Sequence, residues 1–96
     1  MTTARTALIE REFAIVNQRG LHARASAKFV QLAGAYDARV TVEKDGIAVG
    51  GTSIMGLMML AASPGCCIKV KAEGPQAKEV MHALAELVAA RFGEES

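Results

Sequence analysis

The residues of this chain best suited to covalent chemistry are His22 and Arg24, which stand where a helix is predicted to begin. Gly20 interrupts the preceding segment, and residues 25–36 place apolar side chains on one helical stripe, so His22 lies at or next to an N-cap. The start of a helix offers unpaired N–H groups, here those of Ala23 and Arg24, and a partial positive charge. Both favour an anion. An imidazole beside such donors is suited to carry a phosphoryl group.

An isolated histidine in a small domain is more often a surface or satisfied core residue than a reactive one. The glycine turn, the helix start and Arg24 favour a reactive His22, but the residues alone leave both interpretations open. His82, on the last predicted helix among polar and apolar neighbours, is expected to be a surface residue without a function.

Two segments together indicate a family. Residues 20–24, Gly-Leu-His-Ala-Arg, resemble the active-site pattern Gly-Leu/Ile-His-Ala-Arg-Pro-Ala of the HPr family, the small histidine phosphocarriers of the bacterial phosphotransferase system. Residues 52–58, Thr-Ser-Ile-Met-Gly-Leu-Met, resemble that family's regulatory-serine segment, at about the family's spacing. The resemblance spans about residues 7–92. Ala25 stands where many members carry proline, and alanine is compatible with a first helical turn.

The resemblance implies a function for these residues. His22 would accept a phosphoryl group on Nδ1 from phosphorylated enzyme I and pass it to an enzyme IIA-type domain, while Arg24 holds the phosphoryl oxygens. Ser53 would be a regulatory site for an HPr kinase/phosphorylase. The expected partner-docking positions are Ile54, Met55, Met58 and Lys28.

The segment around Ser53 also has structural explanations. Ser53 or Thr52 is a sufficient N-cap for a short helix over residues 53–61, and methionines are often core residues. Leu57, Leu60 and Ala61 share one face, which is predicted to be buried. A helix this short cannot bury every side, so the three apolar docking residues are expected to be exposed.

Composition limits the function classes. The 96 residues are 51% hydrophobic and 22% charged with a formal net charge of +1, which indicates one globular domain over residues 1–96. With aromatic residues at 4%, a nucleic-acid-binding face is not expected. The chain has no apolar segment of transmembrane length and no signal peptide, so a cytoplasmic location is expected. A monomer is expected as well. No Walker-type loop or magnesium-binding carboxylate cluster lies near His22, so the chain is expected to be a carrier without cofactors, not an enzyme.

The apolar periodicity predicts the order βαββαβα and a two-layer α/β sandwich. The resemblance implies a four-stranded antiparallel sheet with three helices on one side. Strands are predicted over residues 8–17, 38–43, 47–49 and 66–73, with a hairpin turn at Asp45 and Gly46. Helices are predicted over 22–35, over 53–61, and from Gly74 and Pro75 onward, with Gly93 as the C′ stop.

Two minor alternatives remain. Cys66 and Cys67 are adjacent, which is poor geometry for a disulfide and not a Cys-x-x-Cys metal motif, so they are expected to be reduced thiols used as small hydrophobic residues. A soft-metal-binding module is the remote alternative for this pair. Ala25 in place of proline keeps open the nitrogen-related branch of the phosphocarriers, which signals and does not drive sugar uptake.

Overall fold

Strands and helices alternate along the chain in the predicted order. The computed structural model describes residues 7–94. The strands are β1 (Ala7–Ala14), β2 (Arg39–Lys44), β3 (Ile47–Gly50) and β4 (Cys67–Gly74). The helices are α1 (Ala23–Gly34), α2 (Ile54–Met59) and α3 (Ala77–Ala89), followed by a 3₁₀-helix over Arg91–Gly93.

The strands form one antiparallel sheet in the order β1-β4-β2-β3. Because successive side chains of a strand point to opposite faces, alternate residues pack beneath the helices. The buried strand residues are Phe13, Val40, Val42, Ile68, Val70 and Ala72. The opposite face carries charged pairs such as Lys69 and Glu10, whose Nζ and Oε2 lie 3.4 Å apart. The predicted sandwich, four antiparallel strands with helices on one side, is confirmed.

The helices cover the sheet with the predicted apolar stripes. The buried residues of α1 include Ala25, Phe29 and Ala33, and those of α3 are Ala77, Val80, Met81, Leu84 and Val88. Ser26 is also fully buried, which the periodicity did not predict, and its Oγ donates to the carbonyl oxygen of Leu21 at 3.2 Å. This bond joins the first turn of α1 to the segment before it.

Two predicted boundaries were wrong. β1 ends at Ala14, three residues early, because its partner Cys67 is the first residue of β4. Helix α2 ends at Met59, and Ala61 is exposed in the left-handed region at φ 53°. The chain turns there, and Ala62 takes the buried position that was predicted for Ala61.

The C-terminal prediction was also wrong in detail. Pro75 lies before the N-cap residue Gln76, outside α3, and the helix ends at Ala89. Gly93 is therefore not its C′ residue. Arg91 adopts the left-handed conformation after the cap, at φ 58°, and Phe92 then buries its ring in the core. Burial of this aromatic side chain folds the C-terminal segment back over the domain.

Candidate functional site

His22 is the N-cap residue of α1, as the sequence predicted. Its backbone is extended, with φ −77° and ψ −177°, and its carbonyl accepts the N–H of Ser26 at 2.8 Å. The N–H groups of Ala23 and Arg24 precede this bond, so the helix itself supplies no acceptor for them. They form a cluster of donors beside the imidazole at the positive end of the helix dipole.

Gly20 fixes the approach of the chain to His22. Its φ is +66°, and a Cβ there would lie 2.3 Å from the carbonyl oxygen of Ala62. That same oxygen accepts the N–H of Leu21 at 2.9 Å. The turn before His22 is thus held directly against the segment that follows α2, which brings the two sequence motifs to one side of the molecule.

The imidazole of His22 contacts a residue that the sequence analysis did not identify. Its Nε2 is paired with Oε2 of Glu94, 72 positions later in the chain. The side chain of Asn17 is fully buried, and its Nδ2 donates to the same Oε2 at 3.1 Å. Within residues 7–94, Nδ1 of His22 makes no hydrogen bond. No local pattern marks Glu94, because only the folding back of the C-terminal segment brings it to His22.

The Glu94 carboxylate is held by three donors. The hydrogen bond from His22 is the main cause that lowers the pKa of Glu94 below its ordinary value. The bonds from Asn17 and from the Arg19 backbone N–H act in the same direction, against the desolvation of the carboxyl group. Glu94 is therefore ionised at neutral pH.

The two basic residues assigned to the site lie in different environments. Arg24 is exposed in the first turn of α1 and forms no ion pair within the described part of the chain. Lys28, one of the expected docking positions, is half-buried, and its Nζ donates to the carbonyl oxygen of Phe92 at 2.7 Å. Lys28 therefore fastens the C-terminal segment to α1.

Ser53 caps α2, as predicted for Ser53 or Thr52. Its Oγ accepts the N–H of Gly56 at 3.0 Å, and its side chain lies at the surface. Leu57 and Leu60 are buried. The exposed apolar side chains of α2, with their exposed fractions, are Ile54 (39%), Met55 (70%), Met58 (41%) and Met59 (77%). The predicted exposure of the three docking residues is confirmed, and Met59 extends the same surface.

Both cysteines are free thiols, and neither is fully buried in the core. Cys66 precedes β4 and is half-buried, whereas Cys67, the first residue of β4, is exposed. A hydrogen bond with Ser63, whose Oγ is 3.4 Å from the Cys66 Sγ, is the main cause that lowers the pKa of this thiol. No group of three or more His, Cys, Asp or Glu side chains among residues 7–94 is arranged to hold a metal ion, so the soft-metal alternative gains no support.

Two further predictions concern the surface. His82 is exposed, as expected, and its Nε2 lies 3.2 Å from Oε2 of Glu86, one helical turn away. Among the helices of residues 7–94, none has the length and apolar character needed to cross a membrane.

Comparison with known sequences identifies relatives of the whole fold. The family profile described as "PTS HPr component phosphorylation site" matches residues 9–90. The phosphocarrier protein HPr of Cupriavidus necator is 47% identical over 87 residues, which cover 91% of this chain and 98% of that protein. The phosphocarrier protein NPr of Shewanella violacea is 36% identical over 88 residues, which cover 92% of this chain and 97% of that protein.

Solved structures give the same result. HPr-C-His from Thermoanaerobacter tengcongensis superposes with a TM-score of 0.88 at 43% identity, and the match covers 92% of this chain and 99% of the other. An HPr dimer from the same organism matches with a TM-score of 0.73 at 39% identity, covering 98% of this chain and 100% of the other.

Proposed function

The chain belongs to the HPr family of phosphocarrier proteins of the phosphotransferase system, and we propose that it carries the phosphoryl group on His22. Nδ1 of His22 accepts the group from phosphorylated enzyme I, and an enzyme IIA-type protein then removes it. The chain acts in the cytoplasm as a stoichiometric carrier, loaded and unloaded in each cycle, and needs no cofactor. It acts as a monomer, and a solution mass of two chains by light scattering would contradict this part of the proposal.

The position of His22 as the N-cap residue of α1 carries the proposal. A phosphoryl group on Nδ1 would lie beside the N–H groups of Ala23 and Arg24 and the positive end of the helix dipole. Helix-terminus interactions contribute roughly 0.3–2 kcal/mol, which stabilises the bound group without preventing its release. A carrier requires this modest stabilisation, because it must give the group away.

Replacement of His22 tests the proposal directly. Incubation of the wild-type chain with enzyme I and phosphoenolpyruvate is expected to add one acid-labile phosphate, and His22→Ala is expected to add none. His82→Ala is the matched control, because it removes the other histidine from an exposed position, and it is expected to behave as wild type. Phosphate on the His22→Ala chain would disprove the assignment.

Arg24 is proposed to hold the phosphoryl oxygens. Its guanidinium is exposed and forms no ion pair with the other described residues, so it is free to turn toward the group on His22. Arg24→Lys keeps the charge but loses the planar pair of donors, so slower transfer with unchanged thermal unfolding is expected. Arg39→Lys on the exposed side of β2 is the control. Wild-type transfer by the Arg24→Lys chain would remove Arg24 from the site.

The exposed apolar surface of α2, formed by Ile54, Met55 and Met58, is proposed to dock enzyme I and the acceptor. Flexible methionine side chains suit a surface that binds several partners, and the basic Arg24 and Lys28 on α1 favour acidic partner surfaces.

Two aspartate substitutions test this surface. Met55→Asp is expected to weaken the binding of enzyme I with little loss of stability, because the side chain is largely exposed. Ile47→Asp places the same charge on an exposed apolar residue of β3 and is the matched control. Equal affinities of the two variants would contradict the proposal.

Ser53 is proposed as a regulatory phosphorylation site for an HPr kinase/phosphorylase. A phosphoserine brings about −1.5 to −2 charges to the start of the helix that bears the docking residues. A partner would have to desolvate this charge, whereas the phosphate oxygens can still accept the N–H of Gly56. The Ser53-phosphorylated protein is therefore expected to accept phosphate from enzyme I more slowly while it remains folded. An unchanged rate would leave Ser53 as an N-cap alone.

A nitrogen-related regulatory role is the second candidate. Ala25 stands where many members of the family carry proline, and an NPr protein is among the relatives. The acceptor decides between the branches: transfer to a sugar-specific enzyme IIA supports the first, and transfer to a nitrogen-related enzyme IIA alone supports the second.

A further inference from the structure

The carboxylate of Glu94 determines which nitrogen of His22 carries a proton. An ionised carboxylate only accepts hydrogen bonds, so the ring nitrogen that faces it must be the donor. That nitrogen is Nε2. In the neutral imidazole the other nitrogen, Nδ1, then has a free lone pair.

The C-terminal segment is built to hold Glu94 in this position. Phe92 is 1% exposed, and Arg91, Phe92 and Gly93 have φ values of 58°, 55° and 81°. A non-glycine residue in this region costs about 1–3 kcal/mol, so two in succession require strong tertiary support. Burial of the Phe92 ring and the bond from Lys28 to its carbonyl oxygen supply that support. A Cβ on Gly93 would lie 2.8 Å from the Lys28 Nζ, so glycine allows this close approach.

Asn17 connects Glu94 to the turn before His22. Its Nδ2 donates both to the carbonyl oxygen of Gly20, at 2.9 Å, and to Glu94. Its Oδ1 is buried without a partner among the described residues. If the side-chain amide of Asn17 were flipped, Oδ1 would face the carbonyl oxygen of Gly20 and the carboxylate of Glu94, which are both acceptors. The observed orientation is therefore favourable although Oδ1 is unpaired. The two bonds hold His22 and Glu94 in a fixed relation.

We propose that Glu94 is a positioning residue for phosphoryl transfer: it holds the Nε2–H tautomer of His22 and stabilises the positive charge that the ring gains when Nδ1 is phosphorylated. This inference rests on the proposed function of His22. The lone pair of Nδ1 forms a bond to phosphorus, while the bond from phosphorus to the donor's nitrogen breaks and its electron pair stays with the donor. No proton leaves His22. The imidazole becomes a phosphorylated imidazolium, and the Glu94 carboxylate lies beside its Nε2–H.

The same contact favours release of the group. When the acceptor attacks phosphorus, the Nδ1–P bond breaks and its electron pair returns to Nδ1, so a neutral imidazole leaves. A ring that had lost its Nε2 proton would leave as an anion, which is a much poorer leaving group. By keeping the Nε2 proton in place, Glu94 keeps the phosphoryl group transferable in both steps.

The first experiment measures the tautomer of unphosphorylated His22 by ¹⁵N NMR of the imidazole. The wild-type chain is expected to show Nε2–H alone. Glu94→Gln retains an acceptor and keeps this tautomer, whereas Glu94→Ala shifts the Nδ1 and Nε2 resonances toward the mixture of free imidazole. Glu86→Gln, which removes the carboxylate from His82, is the matched control and leaves the His22 resonances unchanged. Wild-type His22 resonances in Glu94→Ala would overturn the inference.

The second experiment measures transfer. Both Glu94 variants are expected to lower the turnover number of enzyme I with this chain roughly three- to tenfold, a modest effect for a partly exposed charge-assisted bond. The KM is expected to stay unchanged, because Glu94 contacts Nε2 of His22 and does not belong to the apolar surface of α2. Amide exchange at Phe92 shows whether the C-terminal segment stays folded in each variant. If Glu94→Ala loosens this segment, the turnover number measured with Glu94→Gln decides the test. Wild-type turnover by both variants would overturn the role in transfer.

A small phosphoryl donor separates this inference from the proposed function. Phosphoramidate needs no protein partner, and it is expected to modify wild-type His22 at Nδ1 but Glu94→Ala at both ring nitrogens. If enzyme I fails to phosphorylate the wild-type chain while this difference is seen, the proposed function is wrong and the positioning role of Glu94 stands. If both chains are modified at Nδ1 alone and at equal rates, the positioning role is wrong.

Discussion

The two histidines of this chain each pair with a glutamate, and the two pairs are built in different ways. His82 and Glu86 are one turn apart on α3, with 74% and 73% of their side chains exposed. His22 and Glu94 are 72 positions apart, with 23% and 17% exposed, and Asn17 joins them. One turn of helix is enough to bring the first pair together. The second pair forms only because of the left-handed turn at Gly20, the burial of Phe92 and the hydrogen bond from Lys28 to the Phe92 carbonyl oxygen.

The difference shows why a histidine–carboxylate pair has little meaning by itself. An exposed pair on one helix contributes a few tenths of a kcal/mol and is screened by salt, so either side chain can move without consequence. The pair at His22 is fixed by contacts from several elements, which gives Nε2 a fixed partner and leaves Nδ1 without one among residues 7–94. Three variants test this contrast.

The largest effect is expected from Gly20→Ala, which disrupts the turn that positions His22. The left-handed backbone and the close contact with Ala62 are expected to lower the free energy of unfolding by about 1–3 kcal/mol. Gly34→Ala is the matched control, since a Cβ there meets nothing within 4 Å, and it is expected to raise stability by about 0.5–1 kcal/mol. Urea unfolding measures both, and equal stabilities would show that the turn is not constrained.

Lys28→Met is expected to have an intermediate effect, confined to the His22 pair. Loss of the bond to the Phe92 carbonyl oxygen removes about 0.5–1.5 kcal/mol and increases amide exchange at Gly93 and Glu94. The exposed Lys78→Met on α3 serves for comparison and should change neither. If the exchange rates at Gly93 and Glu94 match those of wild type, Lys28 does not fasten the segment.

The smallest effect is a pH dependence of stability that comes from Glu94. Its pKa is lowered in the folded chain, so its contribution is present above its ordinary value of 4.5 and is lost as the pH falls through the folded value. Wild type is therefore expected to resist urea better than Glu94→Gln at pH 7, with the gap closing below pH 4.5. Glu86→Gln should show a smaller gap at pH 7. A gap for Glu94→Gln that does not narrow as the pH falls below 4.5 would contradict the ionised pairing.

The sequence by itself determined the elements and the local part of the site. Apolar periodicity located four strands and three helices, because each element has to bury one face. Gly20 and the stripe that begins at Ala25 placed His22 at a helix start, because N-caps depend on neighbouring residues. For α2 the sequence limited the cap to Thr52 or Ser53, and the structure gives Ser53. The exposed apolar residues of α2 followed from the shortness of that helix.

Only the tertiary structure decided what His22 contacts. Residues 17, 22, 28 and 94 come together because Phe92 is buried. That burial requires a left-handed turn at Arg91 and Phe92, where the sequence predicted only that the last helix would stop at Gly93. The same holds for Ala62 replacing Ala61 in the core. These outcomes depend on packing between residues that are distant in the sequence. Such packing overrides the local conformational preference of a turn and can shift its position by one residue.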